Sequence, residues 1–224
     1  MHIRGMIPVT MKSPLFTIGH STHSIEYFLH LLAQHQVEAV CDVRSVPYSR
    51  HNPQFNREPL KAALRAAGIA YVFLGKELGA RSENPACYIN GKVQYNYLID
   101  EPQFQEGLKR VRKGMETFRV ALMCAERDPL TCHRTILVCR ELRSPDLSIH
   151  HILADGRIET NEAAEQRLMA MANVRPDMLV HEQGCIEQAY DVQASQIAYV
   201  IPAQNSESTR GKLPDEAFHD RLHP

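Results

Sequence analysis

Phe118-Arg119-Val120-Ala121-Leu122-Met123 runs directly into Cys124-Ala125-Glu126-Arg127-Asp128. The first six residues are apolar apart from Arg119, the pattern of a strand covered on both faces, as in a parallel sheet. The five that follow are polar and chemically varied. Asp128-Pro129 then reads as a helix start, with Asp as the cap and Pro in the first position, for a helix continuing to about Leu142. Strand, polar exit and helix form the unit that recurs along this chain, and that recurrence decides the fold class.

Upstream, Leu15 to Ile18 predicts a strand ended by Gly19. Ile25, Phe28, Leu29 and Leu32 then share one helical face, with Ser24 as its cap. Ala39 to Val43 is the second strand, carrying Asp42 near its end. A helix from about Asn56 runs through Leu60, Ala63, Leu64 and Ala67 to a left-handed stop at Gly68. Tyr71 to Leu74 is the third strand, and Phe104, Leu108, Val111 and Met115 mark a third helix fraying at Gly114. Downstream, Ile149 to Leu153 is the fifth strand, turned by Asp155-Gly156. Such alternation predicts an α/β fold, Rossmann-like, with a mostly parallel sheet of about five strands and helices on both faces.

Past Gly156 the pattern turns helical, over Thr160 to Ala172 and Asp177 to Ala194, and Ile197 to Ile201 reads as a sixth strand or an extended arm. Ser82 to Tyr97 is irregular, with the turn pairs Asn84-Pro85 and Asn90-Gly91. The expected organisation is a ragged N-terminus over 1–14, one α/β domain over 15–204 with a helical extension from about 157, and a flexible tail over 205–224.

Each strand ends in a polar cluster: Gly19-His20-Ser21-Thr22, Asp42-Val43-Arg44-Ser45, Leu78-Gly79-Ala80-Arg81, and Cys124 to Asp128 followed by Cys132-His133-Arg134. In a parallel sheet these exits share one edge, where ligands bind. His20, Asp42, Glu126, Cys124, Cys132 and His133 are therefore the candidate catalytic residues, with acid–base and nucleophilic side chains. Gly19, Ser21, Thr22, Arg44, Asn52, Gln54, Arg81 and Arg134 are the candidate ligand-binding residues. Glycine permits close approach of backbone, and guanidinium forks suit phosphate. Blander readings stand beside these: Asp42 and Arg44 as a structural ion pair, Glu126 paired with Arg127 or Arg134, and Cys124 and Cys132 as small buried residues.

Composition narrows the class. With 25 Lys+Arg against 26 Asp+Glu and a net charge of -1, the chain lacks the basic surplus of non-specific nucleic-acid binding. No apolar run approaches the ~20 residues of a membrane span, and Met1 to Lys12 has no signal-peptide core. Six Cys are too few for a disulfide scaffold, which favours a reducing cytoplasm. Cys124 followed by Leu130 at the sixth position excludes a phosphatase or rhodanese loop. No P-loop, Gly-x-Gly-x-x-Gly, zinc-deaminase signature or Gly-x-Ser-x-Gly elbow is present. Cys124, seven residues, then Cys132-His133 is not a recognised zinc spacing, so no metal is expected, and no cofactor is assigned.

Thr17-Ile18-Gly19-His20-Ser21-Thr22, Asp42 to Pro47, Asn52-Pro53-Gln54-Phe55-Asn56, and Leu122 to Glu126 with Cys132-His133-Arg134 closely resemble the family called domain of unknown function 488. Ala189-Tyr190 and Ile197-Ala198-Tyr199 resemble the C-terminal pattern of its longer members, so the resemblance spans about residues 15 to 201. It implies a single α/β domain in a mostly bacterial and archaeal family, and it implies no reaction. The residues themselves point to an enzyme acting on a small anionic, phosphate-bearing or nucleotide-like substrate, held by Arg44, Arg81 and Arg134. The alternatives are a non-catalytic nucleotide or nucleic-acid binding module, and a metal-binding or thiol-redox protein.

Overall fold

The computed structural model describes residues 13–176 and 181–202. In chain order the elements are β1 (Leu15–Gly19), α1 (Ile25–Gln34), β2 (Ala39–Asp42), α2 (Arg57–Ala66), β3 (Ala70–Phe73) and α3 (Gly75–Leu78). A small hairpin of β4 (Tyr88–Ile89) and β5 (Lys92–Val93) follows, then α4 (Tyr95–Leu98), α5 (Pro102–Met115) and β6 (Val120–Cys124). A π-helical segment, Arg134–Cys139, continues as α6 (Arg140–Leu142). The chain then forms β7 (Ile149–Ile152), β8 (Ile158–Thr160), α7 (Asn161–Met171) and α8 (Glu182–Ile197).

The main sheet has the order β3-β2-β6-β1-β7-β8. All its pairings are parallel except β8 on β7. Strand periodicity divides β6 between two cores. Ala121 and Met123 join Phe28, Leu32, Leu60 and Leu64 of α1 and α2 on one face. Val120, Leu122 and Cys124 join Leu108, Leu137, Ala189 and Tyr190 on the other. A strand apolar on both sides is what this sandwiching requires.

The chain leaves β1 and β2 toward the face of α1 and α2, but leaves β6 toward the opposite face. The exit of β6, flanked by β1 and β2, is therefore a point where neighbouring loops diverge and open a crevice.

Several expected details hold. Ser24 caps α1 by accepting from the Tyr27 N–H, and Gly68 has φ +74° after α2. Others need correction. The helix expected from Asp128 to Leu142 does not start there. Asp128 does cap a turn, accepting from Leu130, but Pro129–Thr131 is a single 3-10 turn, and Cys132 is extended at φ −132°, ψ 137°. The cause is the Arg134 guanidinium, which donates to the carbonyls of Glu126 and Arg127 and holds this segment against the strand exit. Helical winding resumes only at His133, and then with π geometry.

Of the segment expected over Ile197 to Ile201, Ile197 ends α8 and 198–201 is an arm, joined to the β4–β5 hairpin by Val93 N–H to Tyr199 O and Ile201 N–H to Gly91 O. The short edge strand β8 lacks the apolar run that would announce it. Residues 1–12 of the expected N-terminus, the tail over 205–224 and the first turn of the helix expected from Asp177 lie outside the described residues.

Candidate functional site

Gly19 closes β1 against the exit of β6: a Cβ there would come within 1.9 Å of the Glu126 carbonyl oxygen. His20 follows, buried and stacked on Phe55 at 4.3 Å. Its Nδ1–H donates to the Ser21 carbonyl (2.8 Å), so Nε2 carries the lone pair and accepts from Arg44 Nη1 (3.2 Å). Burial pushes its pKa down to about 4 against the pull of that carbonyl, and the Arg44 charge adds to the lowering.

At the exit of β2, Arg44 folds back onto Asp42. Nε donates to Oδ1 at 2.9 Å and Nη2 to Oδ2 at 2.7 Å, while Nη2 also reaches the Phe55 carbonyl at 2.8 Å. The Asp42 carboxylate accepts further from the Arg44 backbone N–H and, at 2.9 Å, from the Tyr71 hydroxyl. Asp42 is fully buried and Arg44 nearly so. Arg44 thus has its guanidinium engaged by protein groups.

The exit of β6 is built differently. Cys124, the last residue of β6, places Sγ 3.7 Å from His133 Nδ1. His133 Nε2 lies 2.9 Å from the Val43 carbonyl, which can only accept, so the proton sits on Nε2 and the Nδ1 lone pair faces the sulfur. Cys132 Sγ lies 3.0 Å from Glu126 Oε2. Two anions cannot sit at that separation away from water, so one proton is shared between thiol and carboxyl.

Arg134 supplies the matching positive charge. It is 0% exposed, its Nη atoms donate to the Glu126 and Arg127 carbonyls, and its Nε has no partner. It joins none of the ion pairs among the described residues. A buried guanidinium without a carboxylate leaves the Cys132–Glu126 pair as its counter-charge.

The titration of the cluster follows. Burial and the neighbouring Cys132 raise the pKa of Glu126. Burial opposes a Cys132 thiolate, but Cys124, Arg134 and His133 outweigh it and lower its pKa. Burial and the adjoining Cys132 raise that of Cys124. His133 is raised despite its burial, chiefly by the Cys132 sulfur.

A cavity of about 270 Å³ opens onto this cluster, lined by Arg44, Ser45, Arg81, Tyr95, Cys124, Glu126, His133 and Tyr199 among others. Arg81 is exposed, and its guanidinium lies over the Tyr199 ring at 4.3 Å. A larger cavity of about 530 Å³ lies against α8, but four of its charged lining residues, Arg140, Arg143, Glu187 and Asp191, are engaged in ion pairs with one another.

The expected residues thus fall into three groups. Cys124, Glu126, Cys132, His133 and Arg134 form the cluster, with Arg44 and Arg81 reaching its cavity. His20 and Asp42 lie at the same sheet edge but behind the cavity. Gln54 is turned to the His23 carbonyl, Asn52 precedes the 3-10 turn Pro53–Phe55 without a side-chain bond to it, and Thr22 is exposed. Ser21 takes a left-handed φ of 48° and offers its carbonyl to His20. Tyr71, Tyr95 and Tyr199 escaped sequence reasoning; nothing in an isolated tyrosine marks it, although Tyr199 lay in a motif already quoted.

A family model described as Domain of unknown function DUF488 matches residues 24–140. That span takes in the exits of β2, β3 and β6 and begins just after the Gly19–Thr22 motif. No curated protein and no solved structure matches the chain.

Proposed function

As the chain belongs to the DUF488 family, whose description assigns no reaction, the site itself must indicate the chemistry, and we propose an enzyme acting on a small anionic, phosphate-bearing or nucleotide-like substrate. The observation that carries this is the 3.0 Å contact between Cys132 Sγ and Glu126 Oε2, beside a cavity at the strand exits. A carboxyl whose pKa is raised by burial and by the neighbouring Cys132 sulfur is better suited to give or take a proton than an ordinary surface carboxylate.

Arg81 at the cavity rim is the anchor for the anion, because it pairs with no carboxylate among the described residues while Arg44 and Arg134 are occupied by protein acceptors. In this reading Glu126 transfers the proton, and Cys132 and Arg134 set its charge.

Calorimetric titration with inorganic phosphate and a panel of nucleotides tests the anchor. Arg81→Ala should weaken binding by about 1.5–3 kcal/mol, the range for hydrogen bonds to charged groups, with little change in thermal unfolding. If the native protein binds none of these ligands, the substrate class is wrong. Glu126→Gln should keep binding and abolish turnover of any ligand that is transformed; a variant that turns over normally removes Glu126 from the chemistry.

A further inference from the structure

We propose that Cys124, Cys132 and His133 form a binding site for a thiophilic divalent cation, zinc being the best fit, with the fourth position turned to Glu126 and the cavity. The two sulfurs and one ring nitrogen all lie within 4.8 Å of one another. Tetrahedral zinc with bonds of about 2.3 Å to sulfur and about 2.0–2.1 Å to nitrogen separates its ligands by roughly 3.6–3.8 Å. The separation of Cys124 Sγ and His133 Nδ1 is already 3.7 Å.

Two independent features support this. The first is the orientation of His133. Imidazoles that ligate metals characteristically donate their other ring N–H to a carbonyl or carboxylate, which fixes the tautomer and aims the lone pair. Val43 O plays that part here, at 2.9 Å.

The second is charge. Two thiolates, the Glu126 carboxylate, the buried Arg134 guanidinium and a dication sum to zero, so occupancy leaves no net charge in the buried pocket. Sulfur and imidazole nitrogen select zinc-like ions over magnesium or calcium, which require oxygen ligands.

The spacing of these residues predicts no metal because familiar zinc patterns place their cysteines on one tight turn. Here a strand end and the extended residue before a helix meet instead. Two of the three ligands, Cys124 and His133, line the cavity beside Glu126, so the fourth position would be open to it, the arrangement of catalytic rather than structural zinc. The proposal concerns the cluster used in the substrate reading but does not depend on it: metal content is measured with no substrate present, so either can fail alone.

The test uses the full chain, reduced and purified without chelators, then loaded with zinc and dialysed. One zinc per chain is expected by elemental mass spectrometry. Cobalt in its place should give a thiolate charge-transfer band in the near ultraviolet and the strong visible bands of four-coordination. Cys124→Ser and Cys132→Ser should each weaken zinc binding, measured against a chromogenic chelator, by at least about 100-fold, while Cys41→Ser and Cys139→Ser keep it.

Native protein that retains no zinc, or a weak six-coordinate cobalt spectrum without the thiolate band, overturns the site. So does a Cys124–Cys132 disulfide in the loaded, reduced protein, or equal loss in the Cys41 and Cys139 variants. The cobalt spectrum of the native chain decides the matter even if a serine variant fails to fold.

Discussion

Two strand exits that lie side by side in the sheet, those of β2 and β6, carry similar residue types and use them in opposite ways. At β2, Asp42 meets Arg44 in two parallel bonds, Tyr71 and a backbone N–H take its remaining lone pairs, and Arg44 is shared with His20 and Phe55. Every charge has its opposite. At β6, Glu126 shares a proton with Cys132, Arg134 has no carboxylate, and its Nε has no partner. A closed network stabilises; an incompletely matched one beside a cavity is where a ligand can complete the set. The residues at both exits are candidates in sequence, those after β6 the more varied, and their partners in the fold distinguish them.

The sharpest way to break this contrast is to open the closed network. Asp42→Ala would leave the Arg44 guanidinium buried without its carboxylate, and breaking a buried pair on one side costs about 3–5 kcal/mol. Urea unfolding at pH 7 should show a loss of that size. A loss below about 1 kcal/mol would mean that Asp42 is held for something other than the fold.

Acid should act on buried histidines on both faces of the sheet. His20 is held down to about 4, and His151 down to about 3, chiefly by burial, the latter between Thr17 Oγ1 at 2.8 Å and Asn161 Oδ1 at 3.2 Å. In the unfolded chain both imidazoles take a proton near 6.5. The unfolded state therefore binds more protons below that value, so their contribution is complete above about pH 6.5 and is lost as pH falls toward 4. Between pH 7 and pH 5 the loss should be about 2 kcal/mol for each histidine. His20→Gln should flatten the denaturation midpoint over that range by its own share; an unchanged slope would show that His20 is protonated in the fold.

What sequence could reveal follows from these physical causes. The exits were legible because apolar runs of four to six residues stop abruptly at Gly19, Asp42 and Cys124, and parallel strands must share their exits. The saturation of Arg44 was half legible, since Asp42 lies two residues away, but the contribution of Tyr71 from β3 depends on the register Cys41↔Val72, which no local pattern encodes. The convergence of Cys124 with Cys132 and His133 was hidden for a different reason. Asp128-Pro129 is a sound helix start, and a helix continuing from it would carry Cys132 away from the strand. The extended conformation of Cys132, held by the buried Arg134, brings it back.

The smallest expected effect is the most discriminating, because the two carboxyls should respond with opposite signs. At Asp42 the ionised form is met by two guanidinium bonds, so loss of its charge is costly. At Glu126 burial and the neighbouring sulfur resist ionisation and raise the pKa. A carboxyl raised in this way contributes its full stability in acid and loses it as pH rises through the folded pKa. Glu126→Gln keeps the shape, and its amide N–H can donate to the Cys132 thiolate that balances Arg134, while removing the resisted carboxylate charge. At pH 7 the variant should unfold within about 1 kcal/mol of the native protein and on the stabilising side, as functional residues replaced by neutral isosteres often do. At pH 4, where the native carboxyl is already protonated, the gain should vanish. A destabilisation above about 2 kcal/mol at pH 7 would show that Glu126 is a structural carboxylate like Asp42, and the two exits would then be alike.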